Sequence, residues 1–168
     1  MIIGYEVLNG RTGHEAGRAL LARLYREHFG GEMPEILIAE RGKPYFATGN
    51  VHFSISHTKD HVFCVLADRE VGIDAEELSR TAKLALAEKI LSAGELAQFE
   101  AAEDQNRALL TFWVLKEAAA KRSGEGLRGY PNQTDFDLND PRVQIIDGCL
   151  VAVIFEDNLS EQGGHHAF

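Results

Sequence analysis

The chain is short of positive charge: 17 Lys and Arg face 26 Asp and Glu, a formal net charge of -9 with histidine neutral. That deficit speaks against broad electrostatic capture of nucleic acid or an anionic membrane, since both need a positive field. Cysteine is scarce too. Cys64 and Cys149 are the only two, each inside an apolar run of strand character, and they form no closely spaced metal motif. Buried free thiols in a reducing compartment fit better than a disulfide frame. No apolar run approaches the roughly 18 residues of a membrane span. Met1 is followed by Ile-Ile-Gly-Tyr-Glu, not by the basic and then apolar start of a secretory signal. A cytoplasmic location is expected. Gly and Pro are not in excess, and 45% of residues are hydrophobic, enough for one good core built as two small halves.

Hydrophobic spacing predicts α and β segments in both halves. Ile2 to Leu8 reads as a short strand. Leu20, Leu21, Leu24 and Tyr25 recur at helical spacing between His14 and Phe29, and Gly30-Gly31 ends that run. Ile36 to Ile38 is a strand candidate. Val51 to Ser56 alternates apolar with polar, the period of a half-buried strand, whereas Val62 to Leu66 is continuously apolar and suits a central one. Val71 to Glu76 follows the turn-like Asp68-Arg69-Glu70. The character then changes. Thr81 to Ile90, Ala93 to Ala102 and Asn106 to Lys121 are rich in Ala, Leu and Glu and predict helices. Val143 to Ile146 and Leu150 to Phe155 predict a closing hairpin around Asp147-Gly148. The class expected is α+β, with halves at 1–70 and 71–158 and a frayed tail at 159–168.

Candidate chemistry begins at Val71-Gly72-Ile73-Asp74-Ala75-Glu76-Glu77. Residues two apart on a strand share a face, so Asp74 and Glu76 converge while Ile73 and Ala75 turn into a core. Two such carboxylates repel unless a cation lies between them. Hard oxygen donors suit magnesium, which takes one or two carboxylates plus water and substrate phosphate. Alone, Asp-x-Glu describes an acidic surface turn. Farther on, helical spacing lines up Trp113, Glu117 and Lys121, each four residues from the next. Alone, that stripe is a core tryptophan beside an exposed ion pair. Together, Glu117 completes a set of three carboxylates, and Lys116 and Lys121 stand ready for phosphate oxygens. Arg41-Gly42-Lys43-Pro44-Tyr45 is a turn that sets a lysine against a rigid proline. Phe53-Ser54-Ile55-Ser56-His57-Thr58 puts a histidine among hydroxyls at a strand exit, where a phosphate monoester could be held.

Gly-Lys-Pro at 42–44, Ile-Ser-His at 55–57, Val-Gly-Ile-Asp-x-Glu at 71–76, Trp-x-x-Lys-Glu-x-x-x-Lys at 113–121 and Gly-x-Gly-Leu at 124–127 occur in one order. In that order they resemble the Sfp-type 4′-phosphopantetheinyl transferases, over roughly residues 14 to 138. The resemblance implies two similar α+β halves related by a pseudo-two-fold, with coenzyme A in the cleft between them. It implies Asp74, Glu76 and Glu117 as magnesium ligands and Lys116 and Lys121 as phosphate-contacting lysines. It further implies His57, with Ser56 beside it, near the coenzyme A 3′-phosphate, Lys43 and Pro44 near the nucleotide, and Arg18 as a helper on that phosphate. Beside the family pattern the N-terminal half is short, only Arg11 precedes Arg18 among the arginines, Ala75 replaces a larger aliphatic, and Val114 stands where a small or hydroxylic residue is frequent.

The activity implied is transfer of the phosphopantetheine arm of coenzyme A to a serine of an apo acyl or peptidyl carrier protein, releasing 3′,5′-ADP. Glu117 would direct and deprotonate the serine, Lys121 would stabilise the leaving group, and Lys116 would hold phosphate charge. A basic edge formed by Arg80, Lys83 and Lys89 beyond the metal strand and by Lys116, Lys121, Arg122 and Arg128 around the later helix, with Leu84, Leu86 and Phe99, is the expected docking face for an acidic carrier. A chain of two halves has no need to dimerise to complete its cleft, so a monomer is expected. Two alternatives stand beside this reading. One is a non-catalytic member of the same fold that binds coenzyme A or a carrier; the other is an unrelated hydrolase using Cys64 and His57.

Overall fold

The structure, a computed structural model, describes residues 1–126 and 134–155. Expectations placed on Leu127, Arg128 and the tail at 159–168 lie outside the described residues. In the N-terminal half, β1 (Ile2–Val7), β5 (His61–Ala67) and β4 (His52–His57) form an antiparallel sheet in the order β1-β5-β4. Helix α1 (Gly13–Phe29) covers one face. Its start is fixed by a capping box, Thr12 with Glu15, and Gly30 takes the positive φ of 71° that closes it. Between α1 and β4, β2 (Ile36–Ile38) pairs with β3 (Pro44–Phe46) as a small hairpin. The Arg41–Tyr45 turn therefore runs on into a strand that spacing alone did not reveal.

A second sheet is built from segments farther along the chain. β6 (Val71–Glu77), β8 (Cys149–Phe155) and β7 (Val143–Ile146) make it up, antiparallel and in the order β6-β8-β7. Helices α3 (Ala93–Ala101) and α4 (Gln105–Ser123) precede its closing hairpin. Asp147 and Gly148 both take positive φ at the hairpin tip, at 47° and 74°, the conformation that matches a two-residue turn to the strand twist.

The central strands explain the layering. Along β5, Val62, Cys64 and Leu66 pack under α1, while Phe63, Val65 and Ala67 pack against Val71, Ile73 and Ala75 of β6. Along β8, Leu150, Ala152 and Ile154 lie under α4, and Cys149, Val151 and Val153 join the core between the sheets. Each central strand is thus buried on both faces, which is why Val62 to Leu66 reads as one apolar run.

One expected helix is largely absent. Thr81 to Lys83 is not helical; a 3-10 turn occupies Leu84–Leu86, and only the single turn α2 (Ala87–Ile90) is α-helical. The Asn106 side chain accepts from the Ala82 N–H at 2.7 Å and donates to the Arg80 carbonyl at 2.9 Å. Those bonds tie backbone that a helix would need to the start of α4. Leu84 and Leu86 stay exposed, so no apolar stripe draws the segment into a helix.

Helix α4 lies directly on β6 at Gly72. A Cβ there would stand 1.9 Å from the Ala118 carbonyl oxygen and 2.5 Å from the Arg122 nitrogen. Both are helix backbone and cannot swing aside. Gly72→Ala is expected to destabilise the protein by about 3 kcal/mol, the upper end of the overpacking range, read as a lower urea midpoint. An unchanged midpoint would mean that α4 does not sit this close. Among the described residues no helix is long and apolar enough to cross a membrane.

Candidate active site

Close approach of α4 to β6 creates the site. Gly72, Asp74 and Glu76 occupy the β6 face turned toward α4, while Ile73 and Ala75 point into the core. On α4, Trp113, Glu117 and Lys121 form the half-buried stripe that helical spacing predicts. The Lys121 ammonium donates to Asp74 Oδ1 at 2.6 Å and to Ser56 Oγ at 3.1 Å. Burial, and after it the charge of Asp74, pushes the Glu117 carboxyl above its ordinary value, opposed by Lys121. The acids at 74 and 117, distant in sequence, therefore feel one another. Glu76 is turned toward Arg80, four residues on, and forms an ion pair with it. Among the described residues no group of three His, Cys, Asp or Glu side chains is gathered into a metal-holding cluster.

A cleft of about 260 Å³ opens beside these groups, lined by Glu117 and Lys121 on one side and by Lys43, Pro44, Ser54 and Ile55 on the other. Two hydroxyls of β4 bond to the β6 backbone: Ser54 Oγ, at the cleft, accepts from the Ile73 N–H at 3.1 Å, and the buried Ser56 Oγ from the Ala75 N–H at 3.2 Å. Lys43 reaches across from the β2–β3 turn to pair with Glu70 and to donate to the Arg122 carbonyl. There it meets the negative end of the α4 dipole. His57 stands at the exit of β4, exposed, with its ring against Gly13 at the start of α1; a Cβ on Gly13 would lie 2.3 Å from the ring. Arg18 is half-buried on the same helix. Arg11 is engaged with Glu6 at 2.8 Å.

Lys116 does not come to the cleft. One residue before Glu117 on a helix means a turn of about 100°, enough to send the side chain into the core beneath α4. There its ammonium pairs with the fully buried Glu95 at 2.8 Å and donates to the Thr134 carbonyl at 2.8 Å. Glu95 also accepts from the Ser92 N–H at 2.9 Å and the Phe136 N–H at 2.9 Å. Lys116 is thus held away from the cleft, apart from the phosphate role implied for it. Glu95 went unnoticed in the sequence, although Ser92-x-x-Glu95 is a capping-box spacing that could have drawn attention to it. Gly72 and Ser54 were visible only as motif letters. Glu77 accepts from the Asp60 N–H at 3.1 Å.

Cys64 lies mid-strand in β5 with no exposure, and burial pushes its thiol up to about 12. Cys149 Sγ is 3.7 Å from His61 Nδ1, whose Nε2 is 3.1 Å from Asp147 Oδ2. Even so, burial raises that thiol as well, and a thiol without thiolate is no nucleophile. Native protein at pH 8 is expected to resist iodoacetamide at both positions, with labelling only in denaturant. Stoichiometric native labelling of Cys64, read by peptide mass, would contradict this burial.

A family model described as the 4'-phosphopantetheinyl transferase superfamily matches residues 70–160, a span that carries Asp74, Glu76, Glu117 and Lys121. The chain belongs to the 4′-phosphopantetheinyl transferase superfamily. The 4'-phosphopantetheinyl transferase AcpT of Salmonella typhi is 38% identical over 120 residues, covering 68% of this chain and 59% of AcpT. The 4'-phosphopantetheinyl transferase psf-1 of Bacillus pumilus is 33% identical over 116 residues, 66% of this chain and 49% of its own length. A 4'-phosphopantetheinyl transferase of Bacillus subtilis is 30% identical over 93 residues, covering 54% and 41%. The chain spans between two fifths and three fifths of these relatives.

Proposed function

We propose that the protein transfers the 4′-phosphopantetheine arm of coenzyme A to a serine hydroxyl of an apo carrier protein and releases 3′,5′-ADP. The carrying observation is the meeting of Asp74 on β6 with Glu117 and Lys121 on α4 at the edge of one cleft. The donor chemistry fits a magnesium ion. Asp74 and Glu117 are hard oxygen donors whose mutual repulsion a cation would relieve, and Glu76 lies on the same face of β6. Asp74, Glu76 and Glu117 would hold that ion, which when bound supplies charge neutralisation on the diphosphate.

The protein's own groups then have distinct tasks. Glu117 accepts the proton of the carrier serine and aims its oxygen at the β-phosphorus. The serine O–P bond forms as the bond to the bridging diphosphate oxygen breaks, and that oxygen departs with the electron pair as part of 3′,5′-ADP. Lys121 donates to the departing phosphate. Such an in-line displacement is mostly positioning and charge compensation. His57, at the exit of β4, and Arg18, on α1, are the groups proposed for the coenzyme A 3′-phosphate; Lys43 and Pro44, which line the cleft, are proposed for the nucleotide.

The like strand orders of the two sheets support a pseudo-two-fold between halves that divide near residue 70, with coenzyme A between them. A monomer and a cytoplasmic setting complete the reading. The deciding experiment incubates the protein with coenzyme A, magnesium and a panel of apo carriers, followed by intact mass. Gain of one phosphopantetheine on a carrier serine, abolished by EDTA, is the expected result. Binding of coenzyme A without any loading would favour the non-catalytic alternative.

For the carrier we propose the surface around a cavity of about 240 Å³ lined by Arg80, Lys83, Leu86, Ile90 and Trp113, with exposed Leu84 beside it. Phe99 drops out, since it belongs to the core beneath α4. Lys83→Glu combined with Lys89→Glu is expected to raise the carrier KM several-fold and to leave the coenzyme A KM alone, because a repelled acidic partner docks less often. An unchanged carrier KM would move the docking face elsewhere.

A further inference from the structure

The Ser56 hydroxyl has no hydrogen-bonding capacity left. A hydroxyl offers one donor and two acceptor sites. Ser56 Oγ donates to Asp74 Oδ1 at 2.9 Å, accepts from the Ala75 N–H at 3.2 Å, and accepts from Lys121 Nζ at 3.1 Å. The side chain is buried, with 4% of the residue exposed. Two residues back on the same face of β4, Ser54 makes, among the described residues, only the matching bond to β6, from the Ile73 N–H. β6 is an edge strand of its sheet, so its outward N–H groups need partners. The two serines supply them as a seam of side chains in place of a strand ladder. Ser54 closes the seam; Ser56 closes it and also grips an acid and a lysine of the site.

We infer that Ser56 is a positioning residue and not a substrate ligand. Its hydroxyl fixes Asp74 and Lys121 relative to one another and ties both to the register of β6. This rests on the transferase reading above, and it replaces the expectation that Ser56 contacts coenzyme A. A hydroxyl with every site in use can take a phosphate oxygen only by releasing one of the groups it orders. Without it, Asp74 loses a donor, Lys121 loses an acceptor, and the ammonium can swing away from the place where the leaving phosphate must be met.

Ser54→Ala provides the internal control, since it removes a seam bond without touching Asp74 or Lys121. Both alanine variants are expected to lower Tm by similar amounts, each leaving one N–H of β6 unpaired. In the carrier-loading assay Ser56→Ala is expected to lose roughly 10- to 100-fold in kcat, the usual cost of removing a group that orients a ligand. Its coenzyme A KM should stay within about twofold, and Ser54→Ala, at a residue that lines the cleft but does not hold Asp74 or Lys121, should lose clearly less kcat than Ser56→Ala. Ser56→Thr, which keeps the hydroxyl, should outrun Ser56→Val, its equal in shape, by a similar factor; that pair carries the comparison if Ser56→Ala does not fold. A raised KM at unchanged kcat would make Ser56 a substrate ligand and overturn the inference. So would parallel kcat losses in Ser54→Ala and Ser56→Ala, or equal rates for Thr and Val. A wild-type protein that neither loads a carrier nor binds coenzyme A overturns the transferase reading and the inference with it.

Discussion

Glu117→Gln is expected to load a carrier about 10²- to 10³-fold more slowly than the wild type, the scale seen when one preorganised electrostatic group is removed, while the variant gains stability. The two effects share one cause. Glu117 is half-buried with Asp74 as a like-charged neighbour, and both circumstances disfavour its ionised form. A group whose acid is weakened by folding costs stability once ionised. The amide removes that cost and keeps the shape, so Tm should rise as turnover falls. Lost activity with a rising Tm marks a site that holds strain for function. Wild-type turnover by Glu117→Gln, measured by intact mass with magnesium and coenzyme A, would remove this residue from the chemistry.

Elements whose character is local could be read from the sequence. Gly30 marks the end of α1, Asp147-Gly148 marks the β7–β8 turn, and the apolar runs of β5 and β8 follow from burial on both faces. Thr81 to Ile90 misled because composition favours a helix there while Asn106, from another element, captures the backbone. Strand β3 was hidden because three residues beginning with Pro44 carry no period. In the site, strand and helix spacing set the faces of Asp74 and Glu117, and only the order of the motifs, through the family resemblance, suggested that the two meet. Neither separated the fates of Lys116 and Lys121. Both lysines flank Glu117 in the motif, and only the rotation of α4 against β6 sends one to the cleft and the other to the core. That rotation depends on Gly72, whose importance lies in the helix backbone above it.

Lys116→Met is expected to cost about 3–5 kcal/mol, because it leaves a buried carboxylate without its partner. Glu95 has no exposed surface, and its two oxygens already serve the N–H groups of Ser92 and Phe136. Losing the ammonium strands a charge where water cannot reach it, between the start of α3 and the chain that returns from α4 through Thr134. Adding Glu95→Gln should recover part of the loss, since it removes the charge, but not all of it. The amide nitrogen of glutamine cannot accept from an N–H as the second carboxylate oxygen does. Urea unfolding of the two single variants and the double variant measures the coupling. The alternative, a lysine that grips substrate phosphate, makes the opposite prediction for Lys116→Met: an unchanged unfolding midpoint with a raised coenzyme A KM. Lys121→Met is the counterpart. Partly exposed at the cleft and bonded to Asp74 and Ser56, it should lose turnover with a far smaller change in midpoint.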